Sequence, residues 1–172
     1  AFSMVDQHGL KKHGRGGFTC HICVLRPKSV GSVKLADANP NSPPLIDPAF
    51  LKDERDLDTM LAGVKQAQQI MQAPSFDAHR GKALYAGASN DDEELKEDIR
   101  NRADTIYHPV GTCKMGPDSD PNAVVDQRLR VRGIKSLRVI DASIMPKIVS
   151  GNTNAPSIMI GEKGAHMILE DA

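Results

Sequence analysis

Tryptophan is absent, and aromatic residues make up only 3% of the chain. A cage of several rings around a quaternary ammonium would have to come largely from elsewhere. Cysteine is scarce as well. Three residues, an odd number, argue against a disulfide framework and fit a reducing compartment. Neither charge is in excess: 22 Lys plus Arg balance 22 Asp plus Glu, so no basic footprint for nucleic acid is expected. Long apolar runs are missing too. The longest uncharged stretch, Ile148–Gly161, holds Ser, Gly, Thr and two Asn, which leaves no membrane-spanning helix. No secretory signal, internal repeat or low-complexity tract is visible. The chain opens on Ala rather than Met, in mid-pattern, and is expected to be a piece of a longer protein. A cytoplasmic location is expected, with membrane association left open.

The 172 residues, 40% hydrophobic and 26% charged, suffice for a sizeable core in one domain or two unequal pieces. Residues 1–17 read as a basic, loop-like linker, with Lys11, Lys12 and Arg15 among Gly14, Gly16 and Gly17. Phe18–Leu25 and Ser29–Leu35 read as strands, with Pro27 in the connection, so an antiparallel hairpin is expected. Four prolines make Asn39–Pro48 a loop or extended segment.

Helical spacing of Leu57, Met60, Leu61, Val64, Ala67 and Met71 predicts a helix over Asp53–Met71. A second is predicted over Asp91–Ala103, with Asn90 and Glu93 as a capping box and an acidic first turn matching the helix dipole. Arg128–Val131 and Leu137–Ile140 alternate like strands around an Arg132–Gly133 turn. The last helix is predicted over Ala155–Glu170, capped by Asn154, with Pro156 in its first turn. Gly161, Gly164 and Ala165 would let that helix pack closely on another backbone.

Four groups of residues invite chemistry. His8, His13, Cys20 and Cys23 have spacing suggestive of zinc, and Cys20-x-x-Cys23 of a redox pair. A strand over Phe18–Leu25 would turn the two cysteines to opposite faces, so buried structural thiols are the expected reading. His108 precedes Pro109, which disfavours helix and holds the imidazole on extended backbone. Imidazole changes protonation near neutral pH, which suits general-base work, although a lone His is more often structural. Asn152, Thr153 and Asn154 stand in a row before the last helix, whose first N–H groups face whatever lies in front of it. Capping needs one such residue, not three. Leu137–Ser143 reads as a short apolar strand ending in Asp141 and Ala142, as at the ligand-binding carboxyl edge of a sheet.

Taken together, several segments are far more specific. They are His-Pro-Val-Gly-Thr-Cys-Lys-Met-Gly (108–116), Val-Val-Asp (124–126), Leu-Arg-Val-x-Gly (129–133), Leu-Arg-Val-Ile-Asp-Ala-Ser-Ile-Met-Pro (137–146) and Gly-Asn-Thr-Asn-Ala-Pro (151–156). In order and spacing they resemble the C-terminal region of the glucose–methanol–choline (GMC) oxidoreductases. Residues 24–35 and 43–48 look like the same family's substrate-domain hairpin. The resemblance covers nearly everything beyond residue 17 and looks closest to the choline dehydrogenase and long-chain alcohol dehydrogenase branch.

The resemblance implies an α+β fold: an antiparallel sheet with packed helices, plus a C-terminal strand and helix that complete an FAD domain. It implies a linker at 1–17, part of a substrate-binding domain at 18–106, and an active-site and returning FAD-domain segment at 107–172. Family members oxidise alcohols by moving hydride from carbon to the flavin of FAD while a base removes the hydroxyl proton. His108 aligns with the family's active-site His, and Asn152, 44 residues later, with a position that is His or Asn. Asp141 and Ala142 match positions near the FAD ribityl and pyrophosphate. Thr153, Asn154 and Pro156 would set the last helix's N-terminus near the flavin pyrimidine ring, where reduced flavin is anionic.

The family's nucleotide-binding G-x-G-x-x-G is missing, and Gly14-x-Gly16-Gly17 lacks the strand and helix that would make it one. The chain is therefore expected to lack most of its FAD domain, to bind FAD poorly and not to turn over alone. Its expected partners are a small-molecule alcohol, choline or an aliphatic primary alcohol, and the missing N-terminal FAD domain. Without that domain the apolar faces of 137–140 and 155–170 would repack, lose order or be buried in a homodimer. Two alternatives stay open: a non-redox FAD lyase of the same fold, and a non-enzymatic binding or assembly module.

Overall fold

The computed structural model describes residues 5–6, 11–12, 17–85 and 87–172. His8 and His13, two residues of the suggested zinc set, lie outside the described residues. The chain divides into two compact units, Ala1–Gly31 with Asp47–Ile106, and Ser32–Ile46 with Tyr107–Ala172.

The first unit begins with β1 (Val5–Asp6) and β2 (Lys11–Lys12), antiparallel, with Val5 opposite Lys12. The all-loop reading of residues 1–17 is corrected here, since strands of two residues are too short to show as alternation in a sequence. The strand expected over Phe18–Leu25 does not form. Side chains anchor this segment instead of a backbone ladder. The Phe18 ring stacks on Phe76, centroids 5.8 Å apart. Ile22 lies against α1 (Glu54–Met71) at Gly63, where a Cβ would come within 2.5 Å of Ile22 Cγ2. Cys20 and Cys23 are both exposed thiols, which overturns the buried reading that depended on the strand.

α1 starts where the Asp53 side chain accepts the N–H of Arg55. α2 (Asp92–Arg102) starts one residue later than its capping-box reading: Asp91, not Asn90, accepts the N–H groups of Glu93 and Glu94. Glu94 does not close the box, because its carboxylate takes the Ser89 hydroxyl at 2.5 Å. Leu57 and Leu61 of α1 bury against Leu95 and Ile99 of α2. Each such side chain is worth about 1.5–3 kcal/mol relative to exposure. Asp56 is buried on α1, and its two oxygens accept the N–H groups of Lys28 and Ser29, both at 2.8 Å. Burial favours its neutral form, but the hydrogen bond with the Ser29 side chain and then the two backbone bonds outweigh that and hold its pKa below the usual carboxylate range.

The second unit holds β3 (Ser32–Lys34) paired with β4 (Leu45–Asp47), so the Pro-rich segment is partly extended and β3 pairs there, not with residues 18–25. Its core is Val125, Leu129, Ile144, Met145 and Ile160. The strands expected at 128–131 and 137–140 are reduced to single bridges, Val125 to Val131 and Arg130 to Arg138. Leu129 and Ser136 both take left-handed backbone (φ 64° and 59°), which stops a ladder from running on. The class is still α+β, as the resemblance implied.

α3 (Asn154–Glu170) lies on this core through Ile160 and Gly164. A Cβ at Gly164 would sit 2.4 Å from Ile140 Cγ2, whereas one at Gly161 would meet nothing within 4 Å. Of the two glycines expected to allow close packing, only Gly164 does so. Beyond the last turn Asp171 pairs with Arg128, Arg130 and Arg138. The Arg130 and then the Arg138 hydrogen bonds hold its carboxyl at about 2, well below 3.8. The apolar side chains Ile158, Met159 and Leu169 of α3 are exposed. Among the described residues no helix is long and apolar enough to cross a membrane.

Gly164→Ala forces a methyl into Ile140, a cost of about 1–3 kcal/mol that exceeds the roughly 1 kcal/mol gained in helix propensity. Gly161→Ala has only the gain. Their urea midpoints should move in opposite directions. The Asp171 contribution should be complete above pH 4 or so, and should be lost as pH falls towards about 2. Asp171→Asn should therefore lower stability at neutral pH and flatten the acid limb of a stability–pH profile.

Candidate active site

His108 is half-buried in the second unit, on the chain that enters from Tyr107. Tyr107 is left-handed, with φ 65°, and Pro109 follows. Two backbone bonds hold the continuation of this segment. The Cys113 N–H donates to Ser143 O at 3.1 Å, and the Met115 N–H to Ile144 O at 2.7 Å. They join it to the helical turn Ala142–Ile144, which the Asp141 carboxylate caps by accepting the Ser143 N–H at 2.7 Å. This turn replaces the end of the expected strand. Asp141 is exposed and Ala142 is packed against the core.

The approach to α3 supplies the other half. Ser150 is left-handed, with φ 68°, and is followed by Gly151, Asn152 and Thr153. Asn152 Nδ2 lies 2.9 Å from His108 Nε2. Thr153 Oγ1 lies 3.0 Å from His108 Nδ1, with the Thr153 N–H at 3.4 Å from the same nitrogen. Each ring nitrogen therefore faces one of two consecutive residues. Thr153 is buried and occupies the cap position of α3, but its side chain makes no cap bond. Asn154, expected as the cap, is the first residue inside the helix. Its N–H and that of Ala155 find no acceptor among the described residues, Pro156 has none to offer, and no acidic residue sits in the first turn. The helix start thus presents uncompensated positive dipole.

His108, Asn152 and Thr153 are brought together as a hydrogen-bonded set. Asn154 and Pro156 sit in the first turn of α3. Asp141 and Ala142 connect to the His108 segment through the backbone bonds of Ser143 and Ile144, and no described hydrogen bond joins them to the imidazole. Reading the sequence missed the contact of the Thr153 hydroxyl with His108. The available signal was the surplus of polar residues before α3, more than a cap requires. It also missed the left-handed Tyr107 and Ser150, which nothing in their residue types announces. An open apolar cleft of about 260 Å³, lined by Leu129, Met145, Pro156 and Met159 among others, contains none of the three polar residues. The polar chemistry lies outside it.

An imidazole held at both nitrogens beside an uncapped helix start is equipped for proton transfer next to a developing negative charge. The GMC oxidoreductase family model matches residues 27–161, and the chain belongs to that family. It is 52% identical over 166 residues to an alcohol dehydrogenase (acceptor) of Pseudomonas putida, covering 93% of this chain and 30% of that protein. It is 43% identical over 167 residues to a mitochondrial choline dehydrogenase of Mus musculus, covering 96% of this chain and 28% of that protein. Among solved structures, pyridoxine 4-oxidase from Mesorbium loti superposes with a TM-score of 0.77 at 34% identity, over 83% of this chain and 28% of that one. The chain thus spans under a third of the relatives it matches.

Proposed function

We propose that this chain is the active-site portion of an FAD-dependent oxidoreductase that oxidises a primary alcohol. The observation that carries the reading is the His108–Asn152 pair, 2.9 Å apart, at the start of α3. In this reading residues 18–106 belong to the substrate-binding part, 107–172 carry the active site, and the rest of the protein supplies the nucleotide-binding half. The 52% identity to an alcohol dehydrogenase, against 43% to a choline dehydrogenase, favours an aliphatic alcohol, as does the shortage of aromatic rings.

The donor set fits a flavin. The unpartnered N–H groups of Asn154 and Ala155, with no first-turn acid, suit a ring that gains negative charge on reduction. Thr153, Asn154 and Pro156 would hold it on that side, and Asp141 and Ala142 towards the ribityl chain. When bound, FAD supplies the two-electron acceptor for the hydride leaving the alcohol carbon. His108 Nε2 takes the hydroxyl proton, and Asn152 turns its amide from the imidazole to the alcohol oxygen. An amide cannot act as a base, so Asn152 orients and His108 transfers the proton.

In the whole protein, anaerobic addition of a medium-chain primary alcohol should bleach the flavin absorbance, with choline less effective. His108→Ala should slow that bleaching by about 10²–10⁴-fold. An unchanged rate removes His108 from the mechanism, and a flavin that no alcohol bleaches removes the oxidase or dehydrogenase reading.

A further inference from the structure

We infer that the Thr153 hydroxyl is a positioning group that keeps the ring proton of His108 on Nδ1 and so leaves Nε2 free to accept. The inference rests on the reading of His108 as the proton acceptor and says what makes it competent. A neutral imidazole has one N–H and one lone pair, and its partners decide which nitrogen carries which.

On the Nε2 side stands the Asn152 amide, 2.9 Å away. As placed, the amide N–H donates to Nε2, which calls for a lone pair there and the ring proton on Nδ1; turned about its own bond, the same amide would present its carbonyl oxygen and accept instead. What holds the pair in the first arrangement is the Nδ1 side, where Thr153 supplies both groups. They pull in opposite directions. The backbone N–H, at 3.4 Å, can only donate, and it favours a lone pair on Nδ1. The hydroxyl, at 3.0 Å, can donate or accept, and among the described contacts it is the one group that can take a hydrogen bond from a protonated Nδ1. With the amide N–H on Nε2, the hydroxyl accepts from Nδ1, and the longer N–H contact is the weaker of the two.

The same hydroxyl serves after proton transfer. When Nε2 has taken the alcohol proton, both nitrogens of the imidazolium are donors, and Oγ1 still accepts from Nδ1. The price of this arrangement is visible at the helix start. Thr153 sits at the cap position yet makes no cap bond, although Thr is a favoured cap residue. Its side chain is buried and turned to the imidazole instead.

Removing only the hydroxyl should leave the donor N–H in sole possession of Nδ1. The ring should then switch to the Nε2–H form, the Asn152 amide rotating to accept from it through its carbonyl oxygen, with the ring lone pair turned away from the substrate. Thr153→Val keeps the shape and β-branching and loses the hydroxyl, while Thr153→Ser keeps the hydroxyl. Both variants are to be made in the whole protein, labelled with ¹⁵N-histidine, and the His108 resonances assigned by their loss in His108→Gln. Imidazole nitrogen correlation spectra in alkaline solution, where the ring is neutral, then read the tautomer directly.

Wild type and Thr153→Ser should show protonated Nδ1, and Thr153→Val protonated Nε2. An Nε2–H ring in the wild type, or an unchanged tautomer in Thr153→Val, overturns the inference. Flavin reduction by alcohol, measured in parallel, should slow by about 10²-fold in Thr153→Val and stay within a few-fold of wild type in Thr153→Ser. A switched tautomer with an unchanged reduction rate upholds the role of Thr153 in holding the ring and defeats instead the reading of His108 as base. Should Thr153→Val fold poorly, Thr153→Ala gives the same spectrum without the β-branched side chain.

Discussion

An imidazole gripped at both nitrogens by two consecutive residues sets demands on everything around it. Asn152 and Thr153 reach Nε2 and Nδ1 only if the chain enters α3 at this point and with this twist. Thr153 must give its side chain to His108 rather than to the helix N–H groups. The first turn of α3 is left without a cap, which ordinarily costs about 0.5–2 kcal/mol. Stability has to come from further along. Ile160 enters the core, Gly164 lets α3 close onto Ile140, and Asp171 is held by Arg128, Arg130 and Arg138 beyond the last turn. The helix is thus secured by its middle and far end while its first N–H groups stay uncapped.

Backbone strain lies on both arms of the grip. Tyr107, one residue before His108, and Ser150, two before Asn152, are left-handed. Each such conformation in a residue other than glycine costs on the order of 1–3 kcal/mol. The compensation is local. Residues 113 and 115 are hydrogen-bonded to 143 and 144, so the segment that follows His108 is tied to the turn bearing Ile144, which is buried. The uncapped N–H groups of Asn154 and Ala155 give the site its electrostatic character. They favour negative charge in front of α3 without placing a formal charge there.

Much of the site was legible because its parts lie in short, dense runs. His108 before Pro109, three polar residues before a helix with Pro156 in its first turn, and the acid and small residue at 141–142 all stand out in the sequence. The helices were legible for a different reason. Leu57, Leu61, Leu95 and Ile99 repeat at the period of the face they bury, and that period survives whatever they pack against. Strands offered no such assurance. Phe18–Leu25 has the composition of a strand, yet its side chains found Phe76 and α1 while its backbone found no ladder. Two bridges stand where longer strands were expected, because Leu129 and Ser136 turn the chain aside.

The residues themselves determined the three helices and the shortage of aromatic rings, and their motifs carried the resemblance that implied the α+β class and singled out His108 and Asn152, 44 positions apart. The helices follow from local periodicity; the class and the two site residues came with the resemblance. Tertiary structure alone decided that Asp91 rather than Asn90 caps α2, that Gly164 and not Gly161 makes the close contact, and that the Thr153 hydroxyl turns to Nδ1 instead of capping α3. In every such case neighbouring residues offered the same chemistry. Which of them acted depended on what the fold placed within about 3 Å, and a hydrogen bond or a methyl contact is decided at that range.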